Sequence, residues 1–490
     1  MAMLRVTAAL LLSFPGLRAQ PLEERIAAVL RGSPVLARVH WGANVVDLEN
    51  GDVVFDRNSN AWFIPASTQK LFSAALALVR LGPDHRMRTR VIGEGHMSNG
   101  VWHGDLVLVG DGDPTFCGPE FLGPLEPGSL GLPCLDSLAA HVAERGVSRV
   151  AGRIIGDDSA FLWEPYPEGW VESDLLWDYG APVSALTLHR NTAYVRIRPG
   201  AGASEAPTVT TFPAVGFFTI DARVRAAEAA GTNVRILGGP DPRTLLVNGV
   251  VPASGKGASF LVAIRDPAQY AAVALQQSLA GRGIPAEQPA GVRHAIPPLA
   301  TLAPVPTGNE PLELAAYESP PLAETLSQVL KNSQNLYAEL VLLAAAREGR
   351  RTIGRRQALE ALLRFAKETG AEAEDLAVED GSGLSRVALA TPKALTLLLA
   401  YMDRSEYARL WRELLSEGGV DGTLRNRFRG LTDARVQAKT GTMTQVGALA
   451  GYLTTTGGKR LAFSLMVNNA NLPASVVRQF IDTIVVELIR

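Results

Sequence analysis

The chain has 490 residues, 47% of them hydrophobic and 20% charged, with a formal net charge of −2. That is enough apolar material for large cores, on a length that suggests about three domains. The near-neutral balance argues against nucleic acid as the main partner, because phosphate binding needs a basic footprint, and no block of like charges marks a polyelectrolyte tail.

In chain order, MAMLRVTAALLLSFPGLRAQ comes first, with Arg5 ahead of an apolar segment, a Pro15-Gly16 break and then Leu17-Arg18-Ala19. This is the layout of a secretory signal peptide over residues 1–19, cut after Ala19, and it is too short to span a bilayer. A buried N-terminal helix is the alternative. No other run reaches the length of a membrane helix, so the expectation is a soluble, exported, periplasmic protein with at most peripheral membrane contact. PLEERIAAVLRG then reads as a short amphipathic helix. ARVHWGANVVDLENGDVVFDRN reads as two β-runs around Asn50-Gly51, a two-residue hairpin signal. IPASTQKLFSAALALVRLG reads as a helix that ends at Gly82-Pro83.

Residues 90–200 are rich in Gly, Pro and Asp, with short β-runs such as GDLVLVGDGDP and RVAGRIIGDD. AYVRIRPG, PTVTTFP, RTLLVNGVV and ASFLVAIRD continue that texture through 190–265, as one or two small β-rich modules. A helix at 267–283 closes the excursion. Helical texture returns at PLAETLSQVLKNSQNLYAELVLLAAAREG, RRQALEALLRFAKETG and TPKALTLLLAYMDRS. VQAKTGTMTQVGALAGYLTTTGGKRLAFSLMVNNA reads as a long β-hairpin turning at Gly457-Gly458, before a closing helix, ASVVRQFIDTIVVELIR. Terminal strands commonly pair in one sheet. The outer segments therefore predict one α+β domain, with the middle inserted into it.

Cys117 and Cys134 stand 17 positions apart. In an exported protein the simplest reading is one local disulfide, worth about 3 kcal/mol in the chain-entropy picture, and two free buried thiols are the alternative. Two cysteines without paired histidines do not make a zinc site, and the seven histidines form no HExxH pair. Neither a metal nor any other cofactor is expected.

Three short signals fall in order: Ser67-Thr68-Gln69-Lys70, Ser333-Gln334-Asn335 and Lys439-Thr440-Gly441. Each is weak alone. The first could be a polar helix start with a solvated lysine, the second a loop cap, the third a strand end. Together they have a chemical logic. Residues i and i+3 of a helix share a face, so Lys70 can reach the Ser67 hydroxyl. A serine needs a base to become a nucleophile, and a lysine can serve if desolvation or a nearby cation lowers its pKa. The apolar run after Lys70 suits a buried amine, and Lys439 would be the second cation. Ser333 can pass a proton to a leaving nitrogen, and Asn335 can hydrogen-bond a substrate amide. Gly441 would leave room for a substrate lying along the strand edge.

At these residues the chain resembles a known family. S-x-x-K, S-D-N and K-T-G mark class A β-lactamases and penicillin-binding proteins; the middle element here is S-Q-N. The 266-residue gap between Ser67 and Ser333 is far longer than a compact β-lactamase has. It is similar to that of the class C low-molecular-mass penicillin-binding proteins, the D-alanyl-D-alanine carboxypeptidase/endopeptidases. GDGDPTF, GRIIGDDSAF, GWVESDLLWDYGAPVSALTLHRN, NSQNLYAELVL, EDGSGLSR and GGVDGTLRNRF extend the resemblance across nearly the whole mature chain.

The resemblance implies a β-lactamase/transpeptidase-like domain, an antiparallel sheet flanked by helices, over 20–90 and 300–490. Inserted β-rich domains follow: a second over 91–188 and 256–299, and a third nested in it over 189–255. It implies acylation of Ser67 with Lys70 as base, an oxyanion hole from the N–H groups of Ser67 and Thr442, and a terminal carboxylate held by Lys439, Thr440 and Thr442. No residue is identifiable as the glutamate base of class A enzymes. In relatives an acid and an aromatic five residues later line a pocket for the free amino end of a diaminopimelate side chain; Asp174 and Tyr179 match, and Arg386 of GSGLSR would meet the substrate's carboxylate. The implied partners are peptidoglycan stem peptides of the diaminopimelate type and β-lactams. Two rivals stand beside this reading. A serine β-lactamase would show sustained penicillin turnover, and a non-catalytic peptidoglycan-binding protein would release no D-alanine.

Overall fold

The computed structural model describes residues 21–32, 38–118, 130–200, 205–228, 231–297, 312–431 and 434–490. The expected leader, residues 1–19, lies outside them. The fold is α+β. Its outer segments form a six-stranded antiparallel sheet in the order Ser416–Glu417, Arg435–Met443, Val446–Thr454, Arg460–Asn468, His40–Asp47, Val53–Arg57. The two ends of the chain meet in it, in unbroken register from His40 opposite Asn468 to Asp47 opposite Leu461. The central strand Val446–Thr454 is buried along almost its whole length, because helices cover both faces. Leu22–Arg31 and Ala474–Ile489 pack on one face. Lys70–Leu81 and Pro392–Asp403 pack on the other.

The expected single hairpin near the C-terminus is two. The first turns at Thr444-Gln445, with Gln445 at φ 64°, and the second turns through Gly458 at φ 83°. The first turn has no glycine to announce it; a glutamine takes the left-handed conformation instead.

Helix Lys70–Leu81 begins as a 3-10 turn over Ala66–Gln69 and ends at Gly82, whose φ of 79° suits only glycine well. Residues 70 through 78 are all buried. A helix apolar on every side must sit inside a bundle, and this one is enclosed by Leu322–Lys331, Asn335–Arg347, Arg355–Glu368 and Pro392–Asp403.

The excursion holds a second six-stranded sheet, with main order Gly291–Ala295, Ile154–Leu162, Val101–Val109, Arg88–Ser98, Leu312–Glu318 and Arg149–Val150 beside Val101–Val109. Helices Pro133–Glu144 and Pro267–Gly281 share its core. Beyond it, two three-stranded sheets, over 192–212 with 258–263 and over 219–252, close on a small core that includes Val195, Val247 and Val262. Strand pairing crosses two of the boundaries that the resemblance implies. Leu312–Glu318 pairs with Arg88–Ser98, so chain beyond residue 300 still belongs to the second sheet. Ala258–Ala263 pairs with Thr192–Arg198, so the third unit runs past 255. Both partners lie far away in sequence, where local composition carries no signal. Helix Pro133–Glu144 was hidden by the Gly/Pro-rich stretch before it.

The sulfurs of Cys117 and Cys134 are bonded, with the Cα atoms 5.6 Å apart. No described helix is long and apolar enough to cross a membrane. Replacing both cysteines by serine should lower the unfolding free energy of the inserted region by about 3 kcal/mol for a loop of this length. Urea unfolding of the double variant beside the oxidised parent measures it, and an unchanged midpoint would contradict it.

Candidate active site

Ser67 sits in the 3-10 turn, where residues i and i+3 eclipse. That tighter winding stacks Ser67 directly over Lys70, and the Lys70 amine donates to the Ser67 hydroxyl oxygen at 2.8 Å. The turn is entered through Ala66 at φ 47°, an uncommon conformation for a residue with a Cβ. Ser67 is half-buried, whereas Lys70 is fully buried.

The second element comes from the break between helices Leu322–Lys331 and Asn335–Arg347. Ser333 bridges it at φ 60°, a left-handed conformation that costs on the order of 1 kcal/mol. Its hydroxyl accepts from the Lys439 amine at 2.8 Å. Asn335, at the start of the next helix, accepts from Lys70 at Oδ1, 2.6 Å, and donates from Nδ2 to the Tyr179 carbonyl at 2.8 Å. Lys439 is fully buried and also donates to the Thr440 carbonyl at 2.7 Å. Ser67, Lys70 and Asn335 thus form one short chain of hydrogen bonds, and Ser333 and Lys439 another.

Burial sets the electrostatics. It brings Lys70 from its ordinary value down to about 7, against the opposing pull of the Asp380 and Glu339 carboxylates. Burial also pushes Lys439 well below its ordinary value, and the charge of Lys70 adds to that. Sequence reasoning expected a second cation to help lower Lys70; here the mutual repulsion shows on Lys439.

Neither carboxylate was singled out in the sequence. Asp380, fully buried, accepts from the backbone N–H groups of Gly383, Leu384 and Ser385 and from Trp170 Nε1. Glu339 accepts at Oε1 from the N–H groups of Gly381 and Ser382 and pairs at Oε2 with Arg355. Together they shape the loop 380–386, whose Ser382 carbonyl accepts from Lys70 at 2.6 Å. The available signal was a lone acid inside the apolar run LYAELVLL.

Residues 437 and 438 pair with Ser416–Glu417, but from Lys439 onward the outer edge of strand Arg435–Met443 has no strand partner among the described residues. Thr442 is exposed on this edge and Thr440 is half-buried, its hydroxyl donating to Thr423 Oγ1 at 2.9 Å. Gly441 is different. It is buried, and a Cβ there would stand 2.8 Å from the Pro65 carbonyl. The chain leading into Ser67 packs against this position.

Asp174, Tyr179 and Arg386 come together as a separate group. The Tyr179 hydroxyl donates to Asp174 Oδ1 at 3.3 Å, and Arg386 Nη2 lies 3.5 Å from Asp174 Oδ2. Asp174 is mostly buried, while Tyr179 is 44% exposed. The Asn335–Tyr179 bond ties this group to Lys70.

The sequence profile described as the D-Ala-D-Ala carboxypeptidase 3 (S13) family matches residues 22–488. A D-alanyl-D-alanine carboxypeptidase of Actinomadura sp. (strain R39) is 32% identical over 494 residues, covering 96% of this chain and 85% of that protein. The D-alanyl-D-alanine carboxypeptidase DacB of Haemophilus influenzae is 25% identical, covering 89% of this chain and 88% of that one. In fold, the crystal structure of penicillin binding protein 4 (dacB) from Haemophilus influenzae superposes with a TM-score of 0.79 at 24% identity, over 95% of this chain and 99% of that chain.

Gly383 has φ 72°, and a Cβ built on it would lie 1.9 Å from the Ala66 carbonyl oxygen. Gly383→Ala should therefore push the Ser67 turn from the loop and slow acylation by labelled penicillin roughly tenfold or more. A rate equal to the parent's would show that this contact does not position Ser67.

Proposed function

The chain belongs to the D-Ala-D-Ala carboxypeptidase 3 (S13) family, and from that premise we propose how its residues carry the reaction. It is a serine D-alanyl-D-alanine carboxypeptidase of the penicillin-binding kind, acting on peptidoglycan peptides and taking up β-lactams. The observation that carries the residue assignment is the 2.8 Å bond between a fully buried Lys70 and the Ser67 hydroxyl.

Ser67 Oγ attacks the carbonyl between D-alanine and the preceding residue, and Lys70 takes its proton. An amine brought down to about 7 is substantially neutral at ordinary pH and can do so. Backbone N–H groups of Ser67 and Thr442 receive the oxyanion. Lys439, with Thr440 and Thr442, holds the terminal carboxylate of the peptide, which lies along the open strand edge. The proton taken by Lys70 passes to the departing nitrogen through Ser333, whose hydroxyl is bonded to Lys439. Water then releases the acyl group. A β-lactam ring follows the same path and stays attached as the acyl-enzyme. The same residues would serve an endopeptidase cut of a cross-link.

Asp174 and Arg386 fit a zwitterionic side-chain end of the diaminopimelate type. Their ion pair is long at 3.5 Å, and a ligand carrying one amine and one carboxylate replaces it with two complementary contacts. The chain acts in the periplasm after export.

Labelled penicillin should acylate Ser67, and Ser67→Ala should abolish the adduct by intact-protein mass spectrometry. Equal labelling of the variant would remove Ser67 from the chemistry. Asp174→Ala should lower kcat/KM for peptides bearing the free diaminopimelate amine by roughly tenfold or more, and barely change it for peptides without one. An unchanged preference between the two peptides would take Asp174 out of the pocket.

A further inference from the structure

A charged lysine has three N–H donors; a neutral one has two and a lone pair. Lys70 is surrounded by three oxygens: Ser67 Oγ at 2.8 Å, Asn335 Oδ1 at 2.6 Å and the Ser382 carbonyl at 2.6 Å. The last two can only accept. If a neutral Lys70 keeps its two hydrogens on them, its lone pair faces the remaining neighbour, the Ser67 hydroxyl, which alone of the three can donate. Two carbonyl oxygens thus sort the lone pair onto the nucleophile.

Both must then be held. Asn335 is held through its Nδ2 by the Tyr179 carbonyl. The Ser382 residue is held from both sides. Asp380 accepts the Gly383 N–H at 2.8 Å, on the peptide that carries the Ser382 carbonyl. Glu339 accepts the Ser382 N–H at 2.8 Å and the Gly381 N–H at 3.0 Å, on the peptides before it. Asp380 belongs to the loop itself. Glu339 comes from another element, one turn along helix Asn335–Arg347 from Asn335, so one helix face supplies Asn335 and the group that fixes Ser382. Its carboxylate is 1% exposed and its second oxygen meets Arg355 at 3.1 Å. Burial and the neighbouring Asp380 carboxylate raise its pKa from the ordinary value, and Arg355 with the two N–H donors works against that rise, in favour of the ionised form.

We propose that Glu339 is a positioning residue for acylation: its buried carboxylate fixes the Gly381–Ser382 backbone so that the Ser382 carbonyl engages one Lys70 hydrogen and the lone pair is left on Ser67. The inference rests on Lys70 being the base for Ser67. Glu339 has a second effect through charge. Asp380 and Glu339 are the anions that hold Lys70 up against burial, Lys439 is the neighbouring cation, and Arg355 stands behind Glu339. Geometry and charge can therefore be separated by two substitutions.

The test is the rate constant of penicillin acylation at Ser67 from pH 5 to 9, in the parent, Glu339→Gln and Glu339→Asp. In the parent the rate should climb through a limb near pH 7 as Lys70 loses its proton. Glu339→Gln keeps an oxygen for the two N–H groups and loses the anion, so its limb should move to lower pH by roughly half a unit or more, with the plateau within a few-fold of the parent. Glu339→Asp keeps the anion and withdraws the oxygen, so its plateau should fall roughly tenfold or more with the limb in place. A merely structural role would lower both plateaus and move neither limb, and that result overturns the proposal, as does parental behaviour in both variants. If one variant fails to fold, the other decides, since each carries one of the two effects. A failure of the underlying reading looks different: the parent itself would show no limb near pH 7.

Discussion

One desolvated amine governs this site. Lys70 is carried into the core by a helix that is buried through residue 78, because the sequence after it is apolar but for Ser73, whose hydroxyl donates to the Gly381 carbonyl. Taking an ammonium out of water is expensive, and a protein meets that cost with hydrogen bonds, with counter-charges or by letting the proton go. Here all three operate. Three oxygens receive the amine, two buried carboxylates stand behind them, and what remains is a proton held so loosely that neutral pH can remove it. With weaker compensation the amine would stay neutral whatever its surroundings required. With stronger compensation it would be a permanent cation, unable to act as a base.

The rest of the structure reads as support for that balance. The sheet is closed by strands from the two ends of the chain, which brings Lys439 against the 3-10 turn that carries Ser67. Gly441 and Gly383 let the strand and the loop close on that turn to distances no Cβ would permit. Ala66 and Ser333 sit in left-handed conformations, the one next to Ser67 and the other bonded to Lys439. Such strain persists where surrounding packing over-determines it, and it aims the Ser67 and Ser333 hydroxyls toward the two lysines. The inserted region contributes through a backbone atom. The Tyr179 carbonyl restrains Asn335, which joins the proposed specificity group around Asp174 to the amine by consecutive hydrogen bonds.

Much of this could be read from residue types. Ser67 and Lys70 announce themselves by spacing, a polar pair one turn apart ahead of an apolar helix. Lys439 does so by its place before Thr440-Gly441 on a strand. The longer helices after residue 320 follow from period and composition, while Ala408–Leu414, with seven residues, is too short to show a period. What escaped the sequence has a common cause: it depends on backbone atoms or on partners far away in the chain. The Ser382 and Tyr179 carbonyls have no residue-type signature. Glu339 is one acid in a helix that otherwise reads as core, and only the loop folded against it explains its presence. A glycine at a strand edge suggests substrate room, and the close approach of the Pro65 carbonyl to Gly441 is visible only in three dimensions. The strands Leu312–Glu318 and Ala258–Ala263 likewise belong to sheets whose other members lie far off in sequence.

The central claim is that Lys70 is a buried amine poised to lose its proton near neutrality. Titrating the protein with isotopically labelled lysine, with the Lys70 signal assigned by substitution and followed by NMR from pH 5 to 11, measures this directly. A midpoint at about 7 is expected for Lys70. A midpoint near the ordinary lysine value of about 10.4 would contradict it.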